Sequence, residues 1–326
     1  MKFMAKTSLS PSIGRYIGLK QALGRGFAGE RRVLESLEEF MIDTNVNAWT
    51  QSVFEQWCRT VAHLSPTVQR NRMRVVRNFC LYVRRTDPGC FVPDIDDFPR
   101  PHQSVQPYIF TDEEINQLLH AAAKLGPVPL SPLRPQVFRL AIVLLNTTGM
   151  RRGELANLTL ADYDQRTRSL LVRESKFHKS RYLPLSDDAN SEVAIYLAAR
   201  RRKHLPVATD SSLLWNWYRN GYSGYGLGDG IHELIRETDI RTADGRFPRV
   251  HDMRHSFAIR ALLRWYNAGV DVQVKLPLLA TYMGHVSIAS TEYYLPFVAE
   301  LAAAASTRFA GRYGTLIRPF SDGGAA

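Results

Sequence analysis

The sequence predicts a mainly α-helical chain in two domains, with one small antiparallel β region. Three observations carry this. Helix-start signals recur ahead of apolar stripes of helical period. A proline-punctuated polar stretch, residues 94–106, interrupts them. Only two short segments, residues 169–174 and 181–185, read as strands. With 326 residues the chain is long enough for a core in each domain.

Taken in order, residues 1–97 form a helical N-terminal domain. Ser65-Pro66 is a helix start, with serine at the N-cap and proline at the first helical position. Met73, Val76, Cys80 and Val83 then make an apolar stripe. Arg70, Arg74, Arg77 and Arg84 share another face. A run of charge is commonly a solvated helix face. Here no acidic residue interleaves the arginines and the whole chain is basic, which favours contact with a DNA backbone.

Pro93, Pro99, Pro101 and Pro107 mark the break, and residues 98–107 are expected to be a linker. Thr111 and Glu114 form a capping box, with Phe110 and Ile115 as a hydrophobic staple, so the second domain starts near residue 108 and runs to 298. Within it, the two strands are joined through Lys176, His178 and Lys179. The glycine-rich stretch 221–230 reads as a loop. It lacks GxGxxG order and a preceding strand, so it is not a nucleotide site. Residues 299–326 are a C-terminal segment whose alanine-rich part, 299–309, is a helix candidate for packing on a neighbouring subunit or on its own chain.

Forty-two basic against 31 acidic residues give a net charge of +11, and the pI is near 9.7, an excess that suits a polyanionic partner. Cys58, Cys80 and Cys90 are scattered and form no CxxC pair. Neither a disulfide framework nor a zinc ribbon is indicated, and a reducing, cytoplasmic setting fits. The first residues lack the apolar run of a signal peptide. The most apolar stretch, 137–145, contains Arg139 and is too short to span a bilayer.

Three segments carry the chemistry: Gly149-Met150-Arg151-Arg152-Gly153-Glu154-Leu155, then His251-Asp252-Met253-Arg254-His255, then Gly284-His285 with Tyr294 nine residues after the histidine. Each alone has a bland reading. Together they collect arginines, histidines and a tyrosine, a set suited to attack on a phosphodiester. Arginine is always charged and bidentate toward phosphate, so it can neutralise the non-bridging oxygens. No carboxylate cluster is spaced to hold a divalent ion, and no metal or other cofactor is expected. His251 and His255 are four apart, as in a metal pair, but Asp252 stands where HExxH has glutamate and no third ligand is evident. His255 therefore reads as a satisfied structural histidine. Glu154 can fix Arg151 or a neighbour by a hydrogen bond, whereas Arg152 points elsewhere. Free tyrosine has a pKa of about 10, so Tyr294 needs surrounding cations and a base.

These motifs resemble those of the tyrosine recombinases, the phage-integrase family. The likeness covers residues from about 108 to 300 and includes Ser175-Lys176 through Arg181-Tyr182-Leu183-Pro184-Leu185, which is similar to the family's β-hairpin with its lysine. The resemblance implies a helical core-binding domain followed by an α+β catalytic domain. It implies that Tyr294 attacks the scissile phosphate, leaving a 3′-phosphotyrosyl link and a free 5′-hydroxyl. Arg151 and Arg254 would bind the non-bridging oxygens, and Lys176 would protonate the leaving oxygen. His251 would assist proton transfer and phosphate binding, and His285 would add a phosphate hydrogen bond. Spacing from His285 favours Tyr294 over Tyr293, and alignment on Pro184-Leu185 favours Lys176 over Lys179. The expected partners are double-stranded DNA with an inverted-repeat site and further recombinase subunits, in a homo-tetramer or a tetramer with related recombinases, with no membrane. The expected function is site-specific recombination or integration, as in transposition or other mobile elements, without metal or ATP. The alternatives are a type IB topoisomerase-like nicking-closing enzyme and a non-catalytic DNA-binding protein.

Overall fold

In the computed structural model the described residues are 9–100, 106–175, 179–285 and 287–295, with the side chains of 174, 175 and 179 left aside. The chain divides into two compact units, Met1–Val105 and Gln106–Ala326. Among the described residues no helix is long and apolar enough to cross a membrane.

The first unit holds α1 (Ser10–Ala22), α2 (Ala28–Asp43), α3 (Gln51–Thr60) and α4 (Pro66–Val83). Each places an apolar face on a shared core that includes Leu34, Leu37, Met41, Trp57, Val76 and Phe79. Ser65 occupies the N-cap of α4 in an extended conformation with Pro66 next, although its hydroxyl makes no capping bond. After α4 the chain turns back along it. Phe98 is buried in this core, Arg77 Nε donates to the Pro93 carbonyl at 3.0 Å, and Arg70 Nη1 donates to the Pro99 carbonyl at 3.2 Å.

The second unit begins with α5 (Asp112–Lys124), capped by the reciprocal Thr111–Glu114 bonds. The apolar α6 (Arg134–Thr148) is its central helix: nine of its residues are buried, and it packs against α5, α8 (Asp187–Arg202), α9 (Gly224–Glu237) and α10 (Asp252–Asn267). Between α6 and α8 lie the short α7 (Arg152–Ala156) and a three-stranded antiparallel sheet of order β1-β2-β3. β1 is Tyr163–Asp164, β2 is Ser169–Ser175 and β3 is Lys179–Pro184, with Leu170 opposite Leu183 and Val172 opposite Arg181. After α10 come α11 (Val272–Met283) and α12 (Ala289–Glu292). The fold class is thus mainly α with a small antiparallel sheet.

One sequence expectation is corrected. Residues 221–230 are not a loop throughout, because α9 starts at Gly224, where the N-cap Ser223 hydroxyl accepts from the Gly226 N–H. Its glycines serve close packing. A Cβ at Gly230 would enter the Phe138 ring of α6, and one at Gly228 would strike Arg152. Lys176 and the segment 299–326 lie outside the described residues.

Candidate active site

Two helix ends frame the site. α6 and α11 each finish on a glycine in the left-handed conformation, Gly149 with φ +62° and Gly284 with φ +67°. A side chain at Gly149 would also enter the Phe257 ring. Helix C-termini present carbonyls that lack an intrahelical partner and a partial negative charge, and cations collect there. Arg254, two per cent exposed on the first turn of α10, donates to the Gly149 carbonyl at 2.5 Å and to the Met283 carbonyl at 2.6 Å. Arg151 Nη2 donates to the Gly284 carbonyl at 2.9 Å. Segments more than a hundred residues apart are thus joined through two guanidinium groups.

Glu154 organises the arginines. It caps the short α7 by accepting from the Arg151 backbone N–H at 2.8 Å, and it accepts from Arg151 Nη1 at 2.7 Å. Arg181, on β3, donates to the same carboxylate at 2.8 Å and to the Tyr282 carbonyl at 2.7 Å. Burial pushes the Glu154 carboxyl up, but Arg181 and Arg151 outweigh it and bring the pKa down to about 2. The carboxylate stays ionised and holds β3 and the Arg151 turn together.

Three histidines and a tyrosine pack beside this clamp. The His251 and His255 rings meet edge to face at 4.8 Å, and His255 meets Tyr294 at 5.3 Å. His285 stacks on Tyr294 at 6.2 Å, and its Nδ1 is 2.8 Å from the hydroxyl of the buried Thr291. Burial lowers His251 and His285 to about 4, helped by Arg254 and then by Arg249 at His251 and Arg151 at His285. The same holds for His255, where burial is followed by His251. All three imidazoles are neutral near pH 7. Burial raises the Tyr294 phenol, while the Arg254 and Arg151 charges pull it back down. Burial also lowers Arg254 itself to about 10, with repulsion from Arg151 adding to it.

The structure therefore brings together Arg151, Glu154, His251, Arg254, His255, His285 and Tyr294. Tyr294 is three per cent exposed, whereas its neighbour Tyr293 is only half-buried. His255 differs from the satisfied histidine expected of it. Its Nδ1 is buried and has no hydrogen-bond partner among the described residues, and its Nε2 is 3.9 Å from Asp252. Arg70, Arg74, Arg77 and Arg84 lie in the first unit on or just after α4. Arg70 and Arg77 are half-buried on backbone carbonyls, and Arg74 and Arg84 are exposed.

Sequence reasoning missed Arg181 as a site residue. A signal for it existed, because alternation along β3 puts Arg181 on the face of the buried Leu183, away from the exposed Tyr182. A charge on the buried face of a strand requires a partner, and Glu154 is that partner.

Known proteins place this arrangement in context. A model described as the phage integrase family matches residues 109–297. The protein y4rB of Sinorhizobium fredii (strain NBRC 101917 / NGR234), which carries the name integrase/recombinase, is 31% identical over 304 residues, covering 93% of this chain and 97% of its own length. The tyrosine recombinase XerC of Lacticaseibacillus casei (strain BL23) is 29% identical over 234 residues, 71% of this chain and 72% of that one. Two solved structures share the fold. The XerH site-specific recombinase bound to palindromic difH substrate, in its post-cleavage complex, aligns with a TM-score of 0.63 at 19% identity over 86% of this chain and 79% of that one. A lambda integrase dimer bound to a COC' core site aligns with a TM-score of 0.60 at 15% identity over 87% and 94%.

Proposed function

The chain belongs to the phage integrase family of tyrosine recombinases, and from that premise we propose how it acts as a site-specific DNA recombinase. The Tyr294 oxygen attacks the scissile phosphorus while the bond to the 5′-oxygen breaks. The phenol proton passes to His251, whose lowered pKa keeps it a free base. Lys176 gives a proton to the departing 5′-oxygen. Arg151 and Arg254 neutralise the non-bridging oxygens as charge builds in the transition state, and His285 adds a hydrogen bond. The 3′-phosphotyrosyl link keeps the energy of the broken bond, so a 5′-hydroxyl from a partner strand can reverse the step and exchange strands. The partner is duplex DNA with inverted repeats, bound by a tetramer of this chain or with related recombinases, in the cytoplasm at the nucleoid.

The observation that supports this reading best is the placement of Tyr294, stacked on His285 and within the field of both arginines. The relative y4rB, named integrase/recombinase, spans nearly the whole chain, which favours strand exchange over simple nicking and closing. The test is a nicked duplex built on the inverted-repeat site selected by binding of this chain from the DNA that flanks its coding sequence. Wild type and Tyr293→Phe should form a covalent protein–DNA adduct, and Tyr294→Phe should form none. An adduct that survives Tyr294→Phe and vanishes in Tyr293→Phe overturns the assignment.

A further inference from the structure

The cavity beside the phosphate clamp holds more positive charge than one phosphate requires. It measures about 320 Å³ and is lined by Arg151, His251 and Arg254, and also by Arg152, His232 and Arg249. The first three belong to the clamp. Arg249 is already engaged, since its Nη2 donates to Asp252 at 2.8 Å. Arg152 is different. Among the described residues it has no carboxylate within ion-pair distance, yet its guanidinium is closely seated.

That seat is built by one face of α9. Tyr225, Gly228 and His232 recur at i, i+3 and i+7. The Arg152 guanidinium lies over the Tyr225 ring, 5.5 Å from its centroid. It fills the space that a Cβ at Gly228 would take. Glycine is a poor choice inside a helix, and here it leaves room for a cation. His232 lines the same cavity, and its buried Nε2 has no hydrogen-bond partner among the described residues. A positioned cation, an unpartnered imidazole nitrogen and an open cavity form a built anion site adjoining the clamp.

We propose that Arg152, seated by Tyr225 and Gly228 and assisted by His232, binds a second backbone phosphate next to the scissile one. This rests on the recombinase reading. Its effect is to fix the register of the strand, so that the correct phosphate lies between Arg151 and Arg254.

The test is fluorescence anisotropy with a labelled random-sequence duplex, titrated with KCl, run beside the adduct assay. Each phosphate contact adds about 0.9 to the magnitude of the slope of log K against log salt. Arg152→Gln should lower that magnitude by about 0.9, and Arg152→Lys should keep it. Gly228→Ala, which displaces the guanidinium without removing charge, should weaken binding in the same direction as Arg152→Gln. A slope equal to wild type in Arg152→Gln, with Gly228→Ala binding normally, overturns the subsite and leaves Arg152 as a cation–π pair. Loss of the Tyr294 adduct assignment overturns the recombinase reading instead, so the two failures are read on separate measurements.

Discussion

Both units of the chain use arginines that donate to backbone carbonyls, with different consequences. In the first unit Arg70 reaches the carbonyls of Phe98 and Pro99 and Arg77 that of Pro93, and among the described residues neither forms an ion pair with a carboxylate. They fasten the segment after α4 to the helix. In the second unit Arg151 and Arg254 reach carbonyls at the ends of α6 and α11, but Glu154, the histidines and Tyr294 crowd the same space. One bond type is a latch in one place and a mount in the other. What separates them is the company each guanidinium keeps, a property of the surroundings and not of the residue.

The largest effect that would break this comparison is at Arg254. If Arg254 holds the non-bridging oxygens as proposed, Arg254→Ala should lower adduct formation by about 10²- to 10³-fold. Arg254→Lys should then recover little, because an ammonium cannot hold the Gly149 and Met283 carbonyls and also reach a phosphate as a planar fork can. Arg77→Ala should leave adduct formation within a few-fold of wild type at saturating DNA. Equal losses in single-turnover assays of Arg254→Ala and Arg77→Ala would erase the distinction.

Much of this was legible in the sequence because its causes are local. The Thr111–Glu114 box and the Ser65-Pro66 start depend on a few neighbouring residues, and both helices begin where those residues stand. The grouping of these residues was legible for another reason: each motif carries its own reactive groups, and their joint order and spacing, with the family resemblance, suggested convergence. What failed was non-local. The glycines of α9 read as a loop, since nothing nearby shows that Phe138 and Arg152 press against positions 230 and 228. Arg181 gains its meaning from Glu154, 27 residues away. His255 looked satisfied because a sequence cannot show that its Nδ1 is buried without a partner.

Acid should separate the units next. His251, His255 and His285 belong to the second unit, and burial lowers all three to about 4. In the unfolded chain each titrates near 6.5. Between those values the unfolded state binds more protons than the folded one, so stability falls as pH drops from about 6.5 toward 4. Glu154 adds nothing to that fall. Its folded pKa is about 2, so its contribution persists to the unfolded carboxylate value near 4.5 and is lost only below it. Calorimetry at pH 7 and pH 5 should show the second unit's transition moving down. His255→Gln should reduce the movement by removing one of the three groups. A transition that holds its temperature, or moves equally in His255→Gln, would show that burial does not control these imidazoles.

The smallest effect decides how the arginines on and just after α4 divide. If Arg70 and Arg77 are latches, replacing either with alanine frees one or two carbonyls at a partly exposed site, a loss of about 1 kcal/mol. For a domain of this size that lowers the melting temperature by about 4–8 °C. The salt dependence of DNA binding should barely change, because those N–H groups are already engaged. Arg74 and Arg84 are exposed, and surface substitutions usually shift stability by within about 0.5 kcal/mol. If they meet DNA, alanine at each should instead reduce the salt slope by about 0.9. The two pairs thus predict opposite patterns across the same two measurements. Should Arg70→Ala and Arg77→Ala shift the slope while leaving the melting temperature fixed, the whole stripe would face DNA, as its freedom from acidic residues and the basic chain suggest, and the carbonyl contacts would be incidental.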